Sequence, residues 1–167
     1  AYVLNGEVDV FHDQHGDSFL AFRNERGRRE VWSMRTKAAS DFIRWRFYRE
    51  EQKGLNGEAL ATARGALAAK ARFEGARRTL FLRVAMVEGT VWYDLGDWRA
   101  VAITSDDWRV VDDPPIMFRH YPHQLPQVEP VDGGDVREFL SLLNLQGPES
   151  RLLLQVYMVT ALLSEIP

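Results

Sequence analysis

The sequence predicts an α+β fold, and three features of the chain indicate it. Residues 90–119 alternate apolar and polar side chains between turn residues, which is the pattern of an antiparallel meander. Residues 37–74 repeat apolar side chains at spacings of three and four, as a pair of helices does. A stretch with several Pro and Gly residues, 121–134, then precedes two further helical segments.

The N-terminal block, residues 2–35, is predicted to form a β-hairpin and a third strand. Val8 and Val10 alternate with polar residues and share one face of the first strand. The polar segments 12–18 and 24–27 supply the turns. The three strands are therefore expected to pair as neighbours.

Capping residues predict the limits of the helical pair. Thr36 is the N-cap of a helix from Lys37 to about Lys53, with Gly54 in the left-handed position after it, and Asn56 caps a helix over 57–74. The apolar stripe of the first helix is predicted to be Ala38, Phe42, Trp45 and Tyr48, broadened by Ile43 and Phe47. Helix, turn, helix, strand, strand is also the order of the second half of a winged helix, so a winged-helix-like element is a further hypothesis.

The central meander is predicted to begin with a strand over residues 80–86 and to end at Pro114-Pro115, which cannot donate to a ladder. A near-repeat places Asp97-Trp98-Arg99 ten residues before Asp107-Trp108-Arg109. Trp98 and Trp108 therefore occupy equivalent predicted positions, and at least one is expected to be largely buried.

Three regions are predicted along the chain: an α+β accessory domain over 1–126, a Pro/Gly linker over 127–134 and helices over 135–167. Asp135 begins the first C-terminal helix, and Pro148 opens a second that continues to Leu163. This last helix is apolar on nearly all sides, so it is expected to need a partner.

Composition limits the class of protein. A hydrophobic share of 46% and a charged share of 27% are typical of soluble globular domains, and there is no apolar run of membrane-spanning length. The chain has no cysteine, which excludes disulfides and thiolate metal sites and fits the cytoplasm. Residues 1–83 carry a net charge of +5 and residues 84–167 a net charge of −8, which indicates either a polyanion-binding face or docking of the two halves on each other.

Several short motifs carry a resemblance to a known group of proteins. They include the Trp-Tyr-Asp-Leu-Gly-Asp segment 92–97, the paired Asp-Trp-Arg units, Asp112-Asp113-Pro114-Pro115, Phe118-Arg119 and Leu125-Pro126. Together they resemble predicted ATP-binding proteins of prophages and plasmids that are related to primase-helicases, in which this region precedes a P-loop ATPase domain. The similarity extends from about Phe11 to the C-terminus. It implies a role in DNA replication of a mobile element.

No P-loop motif occurs in the chain. The resemblance therefore places ATP, magnesium and any ATPase or helicase activity in a domain downstream of Pro167, and the chain itself is expected to be noncatalytic, without a cofactor of its own. That downstream domain is its expected partner.

Basic residues between 44 and 78 are the candidate nucleic-acid-binding set, because guanidinium and ammonium groups pair with phosphates. The set consists of Arg44, Arg46, Arg49, Lys53, Arg64, Lys70, Arg72, Arg77 and Arg78. Aromatic residues lie among them (Trp45, Tyr48) or just before them (Trp32), and exposed rings stack on unpaired bases. The alternative is that the aromatic residues form the core and the arginines a solubilising surface.

Two functional hypotheses follow. In the first, the chain contacts DNA, single-stranded or duplex, and positions the ATPase. In the second, it is a protein-interaction or homo-oligomerisation module of the same ATPase with no DNA contact. The last helix favours the second hypothesis, and the basic set favours the first.

Other polar groups receive structural interpretations. The pairs His12/His15 and His120/His123 could supply zinc ligands, but they lie in predicted loops and surface histidine is the preferred interpretation. Glu7 and Asp9 resemble a metal-binding acidic pair but are interpreted as solvated strand residues. Turn chemistry is expected to explain Asp106/Asp107 and Asp112/Asp113.

Overall fold

The computed structural model describes residues 7–163, and it has the mixed α+β architecture that the sequence predicts. In chain order the elements are β1 (Val8–His12), β2 (Ser18–Arg23), β3 (Arg29–Ser33), α1 (Lys37–Glu51), α2 (Gly57–Phe73), β4 (Leu80–Phe81), β5 (Val84–Val87), β6 (Thr90–Asp94), β7 (Ala100–Ile103), β8 (Trp108–Val111), β9 (Met117–Phe118), α3 (Val136–Ser141) and α4 (Gly147–Thr160).

The chain separates into two compact units. The first contains residues up to Leu82 together with 112–124, and the second contains Arg83–Val111 and the residues from Leu125 onward. The predicted domain over 1–126 therefore includes parts of both units. Its independence as a domain, like the linker over 127–134, stays a prediction.

The first unit is built on the antiparallel sheet β1-β2-β3, which confirms the three predicted strands. One face of the sheet packs against the helices, where Leu20 joins Met34, Ala39 and Phe42 in a buried cluster. On the other face the rings of Phe11 and Phe19 stack with centroids 5.7 Å apart. The alternation of apolar residues thus gives the sheet two buried faces.

The helix caps confirm the sequence prediction at the N-termini. The Thr36 hydroxyl accepts from the backbone N–H of Ala39 at 3.2 Å, and the Asn56 side chain accepts from that of Ala59 at 2.8 Å. The C-terminus of α1 differs from the prediction, because Gln52 rather than Gly54 adopts the left-handed conformation, with φ of 53°. Its backbone N–H donates to Tyr48 O at 2.9 Å, which closes the helix one residue after Glu51.

The predicted buried stripe of α1 is confirmed at Phe42 and Ile43 and wrong at three other positions. Ala38, Trp45 and Tyr48 are exposed, and the buried side carries Ala39, Ser40, Phe42 and Ile43. Two apolar stripes overlap on this helix, since Ile43 and Phe47 extend the pattern, and the sheet covers only one side. Periodicity alone does not say which side that is.

The strand predicted over 80–86 divides at residues 82–83. Leu80–Phe81 pairs in parallel with Met117–Phe118, whereas Val84–Val87 begins the meander. The strand after α2 therefore forms no hairpin with the next strand, and the winged-helix hypothesis is wrong for this region. A two-residue parallel pair leaves no periodic signal in a sequence.

The second unit contains the predicted meander, β5-β6-β7-β8, with every neighbour antiparallel. Its buried tryptophan is Trp92, while Trp98 and Trp108 are both half-buried. Trp98 lies in the turn before β7 with φ of 73°, whereas Trp108 is the first residue of β8. The ten-residue repeat is thus not a structural repeat.

The segment after Leu125 is attached to the turn between β6 and β7. The backbone N–H of Gln127 donates to Leu95 O at 2.7 Å, and the guanidinium of Arg99 donates to Glu129 at 2.6 Å. A Cβ on Gly96 would lie 3.1 Å from Leu125 O, so a glycine suits this close approach at a φ of 75°.

The C-terminal helices begin where the sequence predicts. The Asp135 carboxylate accepts from the backbone N–H of Arg137 at 2.8 Å, and Pro148 lies in the first turn of α4. Helix α4 ends at Thr160 rather than Leu163 and contains no buried residue. In the part of the chain that the structure describes, every helix is too short or too polar to cross a membrane.

Candidate nucleic-acid interface

Helix α1 presents an exposed aromatic and basic face. Trp45 is 47% exposed and Tyr48 is 54% exposed. Arg44 and Arg49 are exposed on the same helix, and the guanidinium carbon of Arg49 lies 5.0 Å from the centroid of the Trp45 ring. For Trp45 and Tyr48, the alternative that the aromatic residues form the core is therefore wrong.

A chain of aromatic contacts joins this face to the sheet. Phe22 stacks on Phe42 with ring centroids 4.2 Å apart. The rings of Trp32 and Phe22 form a T-shaped pair with centroids 4.9 Å apart. Phe42 in turn lies 5.9 Å from Trp45. These four rings line an open groove of about 1020 Å³ in the first unit, which we call the aromatic groove.

The charged lining of the aromatic groove is balanced. It consists of five arginines and five carboxylates: Arg23, Arg29, Arg46, Arg49, Arg78, Glu7, Asp9, Glu25, Glu30 and Asp41. Four of the arginines pair with a carboxylate, whereas among residues 7–163 Arg49 has none. Arg49 is thus the groove cation whose charge is open to an incoming anion.

The nine predicted nucleic-acid-binding residues have two different environments. Three of them form ion pairs: Arg44 with Asp41 at 3.5 Å, Arg46 with Glu7 at 2.6 Å, and Arg78 with Asp9. The other six are exposed and have no carboxylate partner among the described residues: Arg49, Lys53, Arg64, Lys70, Arg72 and Arg77. Arg64 donates instead to the Ser40 hydroxyl at 3.2 Å.

Ion pairing is distributed unevenly over the chain. Of its 21 lysines and arginines, nine form no ion pair with a carboxylate within the described region, and six of those nine lie between residues 49 and 77. The helical pair and the turn after it therefore hold most of the cationic charge that no local carboxylate offsets.

The nine residues do not all share one face. Arg46, Arg49 and Arg78 come together at the aromatic groove. Lys70 and Arg72 are two residues apart on α2 and so point about 200° apart around its axis. This geometry does not place all nine residues along one nucleic-acid backbone.

Several carboxylates that the sequence analysis placed in turns or in solvent form ion pairs with arginines. Asp113 pairs with Arg23 at 2.6 Å and with Arg29 at 3.4 Å, and Asp112 pairs with Arg28 at 3.1 Å. Asp112 and Asp113 lie in a bend after β8, and these ion pairs give them a second role that joins the basic and acidic halves within the first unit. Asp106 and Asp107 do form a turn, in which both backbone N–H groups donate to the Thr104 hydroxyl.

Glu7 and Asp9 are exposed, as their interpretation as solvated residues predicts, and they are also the partners of Arg46 and Arg78. Sequence reasoning missed their part in the groove. The available signal was their spacing of two residues at the start of β1, but their arginine partners are 39 and 69 residues away along the chain.

His12 makes a structural contact rather than one typical of a metal ligand. Its ring Nδ1 lies 3.0 Å from Ala71 O and so fastens β1 to the end of α2, while His15 and His123 are exposed. Residues 7–163 contain no group of three or more His, Cys, Asp or Glu side chains arranged to hold a metal ion.

Comparison of the chain with protein-family models, curated proteins and solved structures gave no match. What the fold and the interface define is a mixed α+β protein with an exposed aromatic and cationic helix face. The resemblance to mobile-element ATPases stays a prediction.

Proposed function

We propose that the chain is a noncatalytic DNA-contacting accessory module of a mobile-element replication ATPase or helicase, acting in the cytoplasm beside a downstream ATPase domain. The observation that carries the proposal is the exposure of Trp45 and Tyr48 on the face of α1 where Arg49 has no carboxylate partner among the described residues.

Exposed aromatic rings have a cost in water that a core position would avoid, so their presence in one place indicates a contact surface. Rings next to guanidinium groups suit nucleic acid in particular, because bases stack on the rings while phosphates meet the cations. Unpaired cations contribute most to such binding, since an arginine already held by a carboxylate must first give up that partner.

The test is binding of labelled single-stranded and duplex oligonucleotides across a salt series, followed by fluorescence anisotropy. The double variant Arg49→Glu/Arg72→Glu should lose most of the affinity at low salt. Six phosphate contacts would give a log-log salt slope of roughly −5 on duplex and −4 on a single strand. Each lost contact makes the slope shallower by slightly under one unit.

A matched control is available in Arg109→Glu/Arg151→Glu. Both arginines are exposed, and neither pairs with a carboxylate within residues 7–163. This double substitution changes the net charge by the same amount as Arg49→Glu/Arg72→Glu does. An equal loss in the two double variants would mean nonspecific attraction and would contradict the proposal, as would the absence of binding to either oligonucleotide at low salt.

The second candidate function, protein interaction or homo-oligomerisation, is favoured by α4. Its exposed apolar side chains are Leu152, Leu153, Val156, Tyr157, Met158 and Val159. A helix with this surface is stabilised by a partner that covers it. This second function involves no DNA contact and uses a different element from the first, so the two are tested by separate variants.

A further inference from the structure

We infer that the aromatic groove receives an unpaired nucleobase, so that the module selects single-stranded over duplex nucleic acid. This inference rests on the proposed function and specifies its ligand. It concerns one end of the first unit, where β1, β2, β3 and α1 all contribute to the groove.

The aromatic contacts provide the stacking geometry. Phe22 and Phe42 form a stacked pair, with an interplanar angle of 19°, and the exposed Trp45 lies next to Phe42 at a tilt of 38°. A base placed against Trp45 would extend this series of rings. Bases inside a duplex are already stacked on their neighbours and cannot offer a face to the groove without being unpaired.

The charges provide a place for the phosphate. Arg49 lies over the Trp45 ring, and a base that stacks there displaces the guanidinium, which stays within reach of the flanking phosphate. Arg46 stands one helical turn before Glu50, and its side chain is 14% exposed while that of its partner Glu7 is 70% exposed. Because Glu7 is the solvated partner, a phosphate can replace its carboxylate and leave Glu7 in water.

Glu7 therefore acts as an internal competitor for the phosphate site. Its carboxylate contacts Arg46 at 2.6 Å, where a phosphate oxygen would bind. Removing its charge should leave Arg46 with one competing carboxylate fewer, although Glu50 stays 3.8 Å away, and should also remove repulsion from the bound strand. Exposed ion pairs are weak, so the expected gain is about two- to fivefold in affinity.

The experiment measures anisotropy with a labelled poly-thymidine oligonucleotide and with a duplex of the same length. Trp45→Ala should weaken single-strand binding about tenfold, which is within the range for loss of one base–aromatic stack, and should change duplex binding little. Trp45→Phe should keep most of the affinity. Circular dichroism and thermal melting of each variant confirm that it is folded.

Phe73→Ala is the matched control for the aromatic change. Phe73 is 83% exposed near the end of α2, beside Arg72, so it tests whether any exposed ring among cations suffices. A larger loss from Phe73→Ala than from Trp45→Ala would overturn the inference and move the base-binding position to α2.

Glu25→Gln is the control for Glu7→Gln. Glu25 also lines the groove and is exposed, but it forms no ion pair with the described residues. The inference predicts that Glu7→Gln tightens single-strand binding more than Glu25→Gln does. Equal gains would show a general charge effect and overturn the role of Glu7.

The failure of this inference is distinguishable from the failure of the proposed function. Suppose that both oligonucleotides bind with equal affinity, that Trp45→Ala leaves the affinity unchanged and that Arg49→Glu/Arg72→Glu lowers it. The chain would then be a DNA-contacting module without a base site. Absence of binding to both oligonucleotides would contradict the two together.

Discussion

At the scale of single residues, the second unit depends on Trp92. Its ring is buried on β6, opposite Ala102 of β7, whereas Trp108 lies half-buried at the start of β8. Trp92→Ala should therefore lower the free energy of unfolding by about 3–5 kcal/mol, and Trp108→Ala by clearly less. Urea denaturation followed by circular dichroism measures both. Equal losses would show that the half-buried tryptophan packs as tightly as the buried one.

A second residue prediction concerns the cap of α3. Hydrogen bonds from the Arg137 side chain, and then from its backbone N–H, lower the pKa of Asp135 below the ordinary value of the carboxyl group. Because the folded-state pKa is depressed, this stabilisation is present above the unfolded-state pKa and is lost as pH falls through the folded one. An NMR titration should find the Asp135 carboxyl below the value of about 3.9 for a free side chain, and Arg137→Gln should raise it. A titration that is the same in both proteins would contradict the assignment.

The residues that sequence reasoning placed correctly are those with local partners. Thr36, Asn56 and Asp135 each cap a helix through a backbone N–H two or three residues away, so composition near the helix start is sufficient to predict them. The exposure of Trp45 is different. It depends on which side of α1 the sheet covers, and that is a contact between segments distant in sequence.

At the scale of elements, the connection that follows α2 brings two backbone segments close together. A Cβ on Gly75 would lie 2.5 Å from Ala71 O and 2.6 Å from Val10 O, so the end of α2 approaches β1 by backbone. Gly75→Ala should destabilise the chain by roughly 2–4 kcal/mol, because neither carbonyl is the end of a flexible side chain.

Gly65→Ala is the internal control for that substitution. Gly65 lies inside α2 with nothing within 4 Å of an added methyl group, so alanine should stabilise by about 1 kcal/mol through helix propensity. Thermal melting of the two variants should move in opposite directions. A Gly75→Ala protein as stable as the parent would show that the two backbones can separate without cost.

The elements that the sequence predicts well are the hairpins. Strands β1 to β3 and β5 to β8 each pair with the next strand along the chain, and the turns between them have characteristic composition. The pair β4–β9 joins Leu80 to Met117, and no periodicity marks so short and distant a contact. The division of the 80–86 segment at Arg83 was missed for this reason.

At the scale of the whole molecule, the net charge conceals how the charged residues are distributed along the chain. The net charge is −3, yet the lysines and arginines that pair with no carboxylate in the described part of the chain are concentrated between residues 49 and 77. Asp112 and Asp113 offset Arg23, Arg28 and Arg29, so the basic half is partly neutralised by the acidic one. The sequence left two alternatives, a polyanion-binding face or docking of the two halves. The structure shows contacts between the halves within the first unit, and among residues 7–163 it divides the cations into those with and those without a carboxylate partner.

The last prediction separates the two functional hypotheses through α4, whose exposed residues Leu153 and Val156 lie three positions apart on one side of the helix. If this surface mediates homo-oligomerisation, the sedimentation coefficient should rise with protein concentration, because burial of apolar area drives association. Leu153→Glu/Val156→Glu should abolish that rise, since each charge would have to be desolvated in the interface. Val128→Glu is the control, because Val128 is equally apolar and 92% exposed outside any helix. If the protein is a monomer at every concentration and neither variant changes this, homo-oligomerisation through α4 is contradicted. If Leu153→Glu/Val156→Glu still binds DNA, the two surfaces act independently.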